Sequence, residues 1–143
     1  MGETAASAPR LRREQISGMN IHYIMWSLDY FLDAQQRIGF KSIELWGAEP
    51  HVTLDHTGYF EADQLRRKIE SRGLNVNSLC PENVVYPWQY AARKPLHAER
   101  SIAYFKHGIE LAEVLGAPYM SINSGWGDWD EDREEAWKRS REH

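Results

Sequence analysis

Six side chains in this 143-residue sequence pair useful chemistry with a place at or just beyond a strand-like segment: Glu44, Trp46, His51, Glu82, Asn83 and Trp126. A carboxylate accepts hydrogen bonds from hydroxyls, an amide both donates and accepts, and an imidazole can bond a hydroxyl or a phosphate. An indole adds an apolar face that can stack on C–H groups. Such a set suits the binding of a polyhydroxylated small molecule. It does not make a nucleophilic centre: Cys80, the one cysteine, has no assignable histidine partner and reads as a small buried hydrophobe. The carboxylates are scattered, and no spacing among them forms a metal-ligand set.

Each of the six has a structural alternative. Glu44 alternates with apolar neighbours on a short strand, which turns it to the face opposite Ile43 and Leu45, where it either meets a ligand or is a paired interior carboxylate. Trp46 can be a core tryptophan and His51 a surface histidine. Glu82 and Asn83 follow Pro81, so ordinary turn chemistry competes with ligand binding. For Asn123, Ser124 and Trp126 a structural role weighs more.

The elements that would position these residues alternate regularly. Residues 19–27 and 42–47 are short and rich in aromatic and β-branched types, as strands are. Between them Leu28, Phe31, Leu32 and Ile38 recur at helical spacing, with Ser27 as a cap and Gly39 as a terminator. A loop with Pro50, His51, Asp55 and Gly58 leads to a helix over 62–72, closed by Gly73. Residues 74–80 read as the third strand, followed by a polar-aromatic loop. A helix over 97–115 carries a stripe of Ile102, Phe105, Ile109 and Ala112 and ends at Gly116. Residues 119–124 read as the fourth strand, and the acids from Asp128 to Asp132 ahead of Lys138, Arg139 and Arg141 match the polarity of a last helix.

The expectation is therefore an α/β fold, a parallel (β/α)4 segment. Residues 1–18 read as a mobile leader, with Met19 as an alternative start, and 19–143 as one domain. No strand is followed by the glycine-rich turn of a dinucleotide or P-loop site. A net charge of −4 without a basic stripe argues against nucleic acid, and no apolar run is long enough to span a bilayer. A single cysteine rules out an internal disulfide and fits a reducing compartment, so a cytoplasmic location is expected.

The stretch from Ile38 to Gly47 (IGFKSIELWG) followed by Pro50-His51, the run Pro81-Glu82-Asn83 with Tyr86-Pro87, and the helix end from Leu111 to Ala117 together resemble the sugar phosphate isomerase/epimerase family. That family has the xylose isomerase-like TIM barrel, and the nearest branches are fructoselysine 3-epimerase and the tagatose/ribulose 3-epimerases. The resemblance implies that this chain is the N-terminal half of a TIM (β/α)8 barrel. In such barrels the site lies at the carboxyl ends of the strands, which is where Trp46, His51, Glu82 and Asn83 fall. It further implies a sugar or sugar phosphate ligand and a divalent metal, often manganese, held by two glutamates, an aspartate and a histidine on later strands. None of those four maps onto this chain, so no catalytic residue and no bound metal are expected of it alone.

Two other readings stay open. A half-barrel with unpaired sheet edges could act as a binding or assembly module that pairs with a copy of itself. The same superfamily contains endonuclease IV-like DNA repair enzymes, which place zinc-binding histidines at the ends of early strands. Here those ends read Cys80-Pro81-Glu82-Asn83 and Asn123-Ser124-Gly125, without histidine.

Overall fold

The computed structural model describes residues 11–83, 88–123 and 125–143. Tyr86, Pro87, Ser124 and the first ten residues, named above, lie outside them. Four strands form one parallel sheet: β1 (Ser17–Met19), β2 (Ser42–Gly47), β5 (Asn75–Pro81) and β6 (Tyr119–Met120), in the order β1-β2-β5-β6. Helices α1 (Leu28–Ile38), α2 (Ala62–Glu70) and α3 (Pro95–Leu115) lie in the successive crossovers, and α4 (Arg133–Glu142) follows β6. The parallel α/β architecture expected from the sequence is what the chain adopts. Among the described residues no helix is long and apolar enough to cross a membrane.

Local chemistry explains the ends of these elements. The Ser27 hydroxyl accepts the Tyr30 N–H at 3.2 Å, which supplies one orphan donor at the start of α1 with a partner. Gly39, at φ +85°, closes the same helix in the left-handed region that a side chain disfavours. In β2, Ile43, Leu45 and Gly47 are buried, whereas Glu44 and Trp46 are half-buried on the opposite face. The buried set joins Phe31, Leu32, Val76, Leu79, Tyr104 and Leu111 in one core between sheet and helices. Each large apolar side chain removed from water there contributes about 1.5–3 kcal/mol.

Two strands, one loop and one helix face depart from the expectation. The first strand starts at Ser17, within the segment read as leader, and ends at Met19, after which Asn20–Tyr23 form a 3-10 turn. The cause is Asn20: its side-chain amide accepts the Trp46 N–H at 2.6 Å and donates to the Trp46 carbonyl at 3.1 Å. These bonds occupy the backbone groups that a longer β1 would have paired with.

The strand expected over 119–124 pairs only at Tyr119–Met120, after which a single bond from the Ser121 N–H to the Leu79 carbonyl continues the contact. The loop after β2 contains a two-stranded antiparallel hairpin, β3 (Leu54–Asp55) with β4 (Gly58–Tyr59). It is turned by the Asp55 carboxylate, which accepts the N–H groups of Thr57 and Gly58.

The buried face of α3 is rotated from the expected stripe. Tyr104, Phe105, Gly108, Leu111 and Leu115 face the core, while Ile109 is 57% exposed. Close approach fixes this rotation, because a Cβ at Gly108 would lie 3.0 Å from the Pro81 ring and 3.3 Å from the Met120 sulfur.

Candidate functional site

Adjacent parallel strands bring the rim together. β2 and β5 pair from Ser42↔Asn75 to Gly47↔Pro81, with a register shift after Ile43 that sets Glu44 opposite Ser78 and Trp46 opposite Cys80. The face turned away from the helices therefore presents Glu44, Trp46, Ser78 and Cys80, none of them fully buried. Just past β5, Glu82 completes the pair: the Trp46 indole Nε1–H donates to its Oε2 at 2.8 Å.

Burial is the main reason the Cys80 thiol is pushed up from its ordinary value, and the charges of Glu44 and Glu82 add to it. Both effects favour the protonated thiol over the thiolate that acts as a nucleophile. Glu44 lies on the face opposite Ile43 and Leu45, as its alternation implied.

His51 lies at the same rim, on the loop after β2, but its ring is occupied. Nδ1 lies 3.1 Å from the Asn20 amide nitrogen and Nε2 lies 2.8 Å from the Trp26 carbonyl oxygen. The hydrogen bond to a ligand hydroxyl or phosphate expected of His51 has no spare ring nitrogen to make it.

Asn83 is 4% exposed, and its Oδ1 accepts from the Asn123 amide at 2.8 Å, tying the end of β5 to the segment after β6. The Asn83 Nδ2 is buried without a hydrogen-bond partner among the described residues. Trp126 lines a cleft of about 420 Å³ with Ala91, Trp129, Glu131 and Trp137, to which neither Trp46 nor Glu82 contributes.

Below the rim, the Tyr104 hydroxyl donates to the Gly47 carbonyl at 3.2 Å, and Trp88 stacks on the Tyr104 ring with centroids 4.5 Å apart. Burial raises the Tyr104 phenol far above its ordinary value, so it is a permanent donor. Sequence reasoning missed both Tyr104 and Asn20. A stripe drawn through 101, 104, 108, 111 and 115 would have exposed the tyrosine. Nothing in the local pattern separates Asn20 from the other residues of an apparent strand.

Among the described residues no three His, Cys, Asp or Glu side chains converge as a metal site. The metal that the resemblance implies therefore finds no ligand set among them.

The model of the xylose isomerase-like TIM barrel family matches residues 32–143. Among solved structures, a D-psicose 3-epimerase crystallised in the presence of D-fructose superposes with a TM-score of 0.64 at 10% identity, covering 89% of this chain and 45% of the other. A sugar phosphate isomerase/epimerase from Parabacteroides distasonis superposes with a TM-score of 0.54 at 12% identity, covering 99% and 51%. The chain thus spans about half the length of these structures, and at such identities the likeness establishes the fold. No curated protein matches it in sequence. With four parallel strands, their crossover helices and a family match over most of its length, the chain belongs to the xylose isomerase-like TIM barrel family.

Proposed function

We propose that this chain forms the N-terminal wall of the sugar pocket of a metal-dependent isomerase or epimerase acting on a sugar or sugar phosphate, and that it is catalytically silent alone. The Trp46–Glu82 pair carries the reading: it places an indole and a carboxylate together at the carboxyl-end rim of adjacent parallel strands, the face on which barrels of this kind bind ligands. An indole face can lie against the C–H side of a sugar, and Glu44, Glu82 and the amides of Asn83 and Asn123 are of the types that bond hydroxyls.

Shifting a proton beside a carbonyl needs a positioned base and a group that stabilises the resulting enediolate. Glu82 already accepts from the indole, and among the described residues no three His, Cys, Asp or Glu side chains converge as a metal site. Binding without turnover is the behaviour proposed for the chain alone.

The test is a titration with D-fructose followed through the Trp46 indole N–H resonance, alongside an epimerase assay with manganese. Saturable movement of that resonance with no turnover is expected. No movement at saturating sugar would remove the binding wall, and turnover well above the metal blank would remove the claim of silence.

A second, non-catalytic reading rests on the strand order, in which β1 and β6 each lack a neighbour on one side among the described residues. Such edges are templates for association, and a chain pairing with its own copy would close them. Light scattering over a range of concentrations tests it, because a strictly monomeric protein would exclude this assembly role.

A further inference from the structure

We propose that Asn20 is the positioning residue of the rim, holding His51 as a neutral ring protonated on Nε2 and so converting it from an acid–base group into a strut that fixes Trp46.

The proton bookkeeping leaves one solution. Asn20 is fully buried. Its Oδ1 faces the Trp46 N–H, which can only donate, and its Nδ2 faces the Trp46 carbonyl, which can only accept, so the backbone of β2 fixes the orientation of the amide. One Nδ2 hydrogen goes to that carbonyl. The other points to His51 Nδ1 at 3.1 Å, which must then accept through its lone pair. At the far side of the ring, Nε2 meets the Trp26 carbonyl at 2.8 Å, another obligate acceptor, so Nε2 carries the hydrogen. Two independent backbone carbonyls, one on each side, demand the same tautomer.

Two segments distant in sequence are tied together in this way: residues 20–26 after β1, through Asn20 and Trp26, and the end of β2 with its following loop, through Trp46 and His51. Trp26, held through its carbonyl, stacks on Tyr30 with centroids 6.3 Å apart at the start of α1, which anchors the outer end of the chain of bonds. With an amide at one ring nitrogen and a backbone carbonyl at the other, neither of them a proton-transfer partner, His51 presents no free ring nitrogen to a ligand. The rim groups left to meet a ligand are those of Trp46 and the carboxylates beside it. This consequence rests on the reading of the rim as a sugar wall, whereas the tautomer rests on geometry alone.

Nitrogen-15 NMR of the His51 ring decides the matter. In the native chain Nδ1 is expected in the unprotonated, pyridine-like range and Nε2 in the protonated range; a proton on Nδ1 would overturn the proposal. In Asn20→Asp the amide donor becomes an acceptor, so a proton is expected on Nδ1 and the Nε2-only signature is lost. An unchanged ring in a folded Asn20→Asp protein would show that Asn20 does not set the tautomer. If that variant does not fold, the native spectrum alone decides. Asn20→Ser, a smaller change, is expected to speed exchange of the Trp46 backbone amide hydrogen several-fold, and unchanged exchange would count against the strut. A chain with the expected tautomer that binds no sugar would keep the strut and lose the sugar wall; a proton on Nδ1 would remove the strut whatever the sugar titration shows.

Discussion

The indole of Trp46 and the carboxylate of Glu82 are joined by a 2.8 Å hydrogen bond between the ends of two neighbouring parallel strands. The bond orients a flat aromatic surface with a charged acceptor at its edge, and that orientation is what a ligand would find already made.

Replacing Trp46 by phenylalanine keeps an aromatic ring and deletes the donor. A hydrogen bond to a charged group contributes roughly 1.5–3 kcal/mol when shielded and less when wet; both partners are half-buried, so a loss of about 1 kcal/mol in unfolding free energy is expected. Urea denaturation of Trp46→Phe and Glu82→Gln measures it. The glutamine keeps an acceptor for the indole, so it should cost less. Equal losses in the two variants would mean that the bond has little energetic weight.

A larger loss is expected below the rim. Tyr104→Phe leaves the Gly47 carbonyl without its buried donor, at a cost of about 1–3 kcal/mol. Thermal melts at fixed pH measure it, and a change within a few tenths of a kcal/mol would show that water or another donor replaces the hydroxyl.

The same residue predicts behaviour in base. Burial raises Tyr104 above the ordinary phenol value and pushes Tyr90 up to about 12. With the folded values above the unfolded one of about 10, their contribution is complete below pH ~10 and is lost as pH rises through the folded values. Stability should therefore decline above pH 10. Ultraviolet titration of the folded chain should show these two phenols ionising last, and normal titration of both would contradict their burial.

Acid acts on the charges that join α1 to α2 and the Arg72 that follows it. Asp29 is held below the ordinary carboxylate value first by its hydrogen bond from Lys68, with the charges of Lys68 and Arg72 helping. A depressed folded value means that the stabilisation is present above the unfolded value near 4 and disappears as pH falls through the folded one. The Asp29 side chain is 48% exposed, so solvent screening keeps each pair within about 0–1 kcal/mol. Arg72 also bonds Asp33 at 2.6 Å, and Arg72→Gln should flatten the acid limb of a stability–pH curve. An acid limb identical to that of the parent chain would show that α1 and α2 are not coupled through these charges.

How far the sequence could be read follows from which forces are local. Ser27 and Gly39 mark α1 because capping and positive φ are written in residues adjacent to the helix ends. The alternation of Ile43, Glu44, Leu45 and Trp46 likewise declares the two faces of β2. Asn20 could not be read, since its role depends on a strand 26 residues away. The face of α3 was misread because Ile109 is as apolar as any core residue, whereas the contact deciding the rotation is the absence of a side chain at Gly108 against Pro81. His51 was placed at the right rim, but its occupancy by Asn20 and Trp26 exists only in three dimensions.

The loop beyond β6 gives the last prediction. Gly127 has φ +65°, and a Cβ built there would overlap the Glu131 carboxylate and the Ala136 methyl. Glu131 is only 7% exposed, caps the Asp128 N–H at 2.8 Å and pairs with Arg139, so the carboxylate cannot withdraw without releasing both. Gly127→Ala therefore adds left-handed backbone strain of about 1–2 kcal/mol to a steric conflict with α4. A drop in melting temperature is expected, together with a changed tryptophan emission as the cleft formed by Trp126, Trp129 and Trp137 loosens. The Trp46 indole and backbone bond Glu82 and Asn20, so the indole resonance should keep its position. Movement of the Trp46 resonance in Gly127→Ala would show that the two clefts are coupled and would overturn their separation.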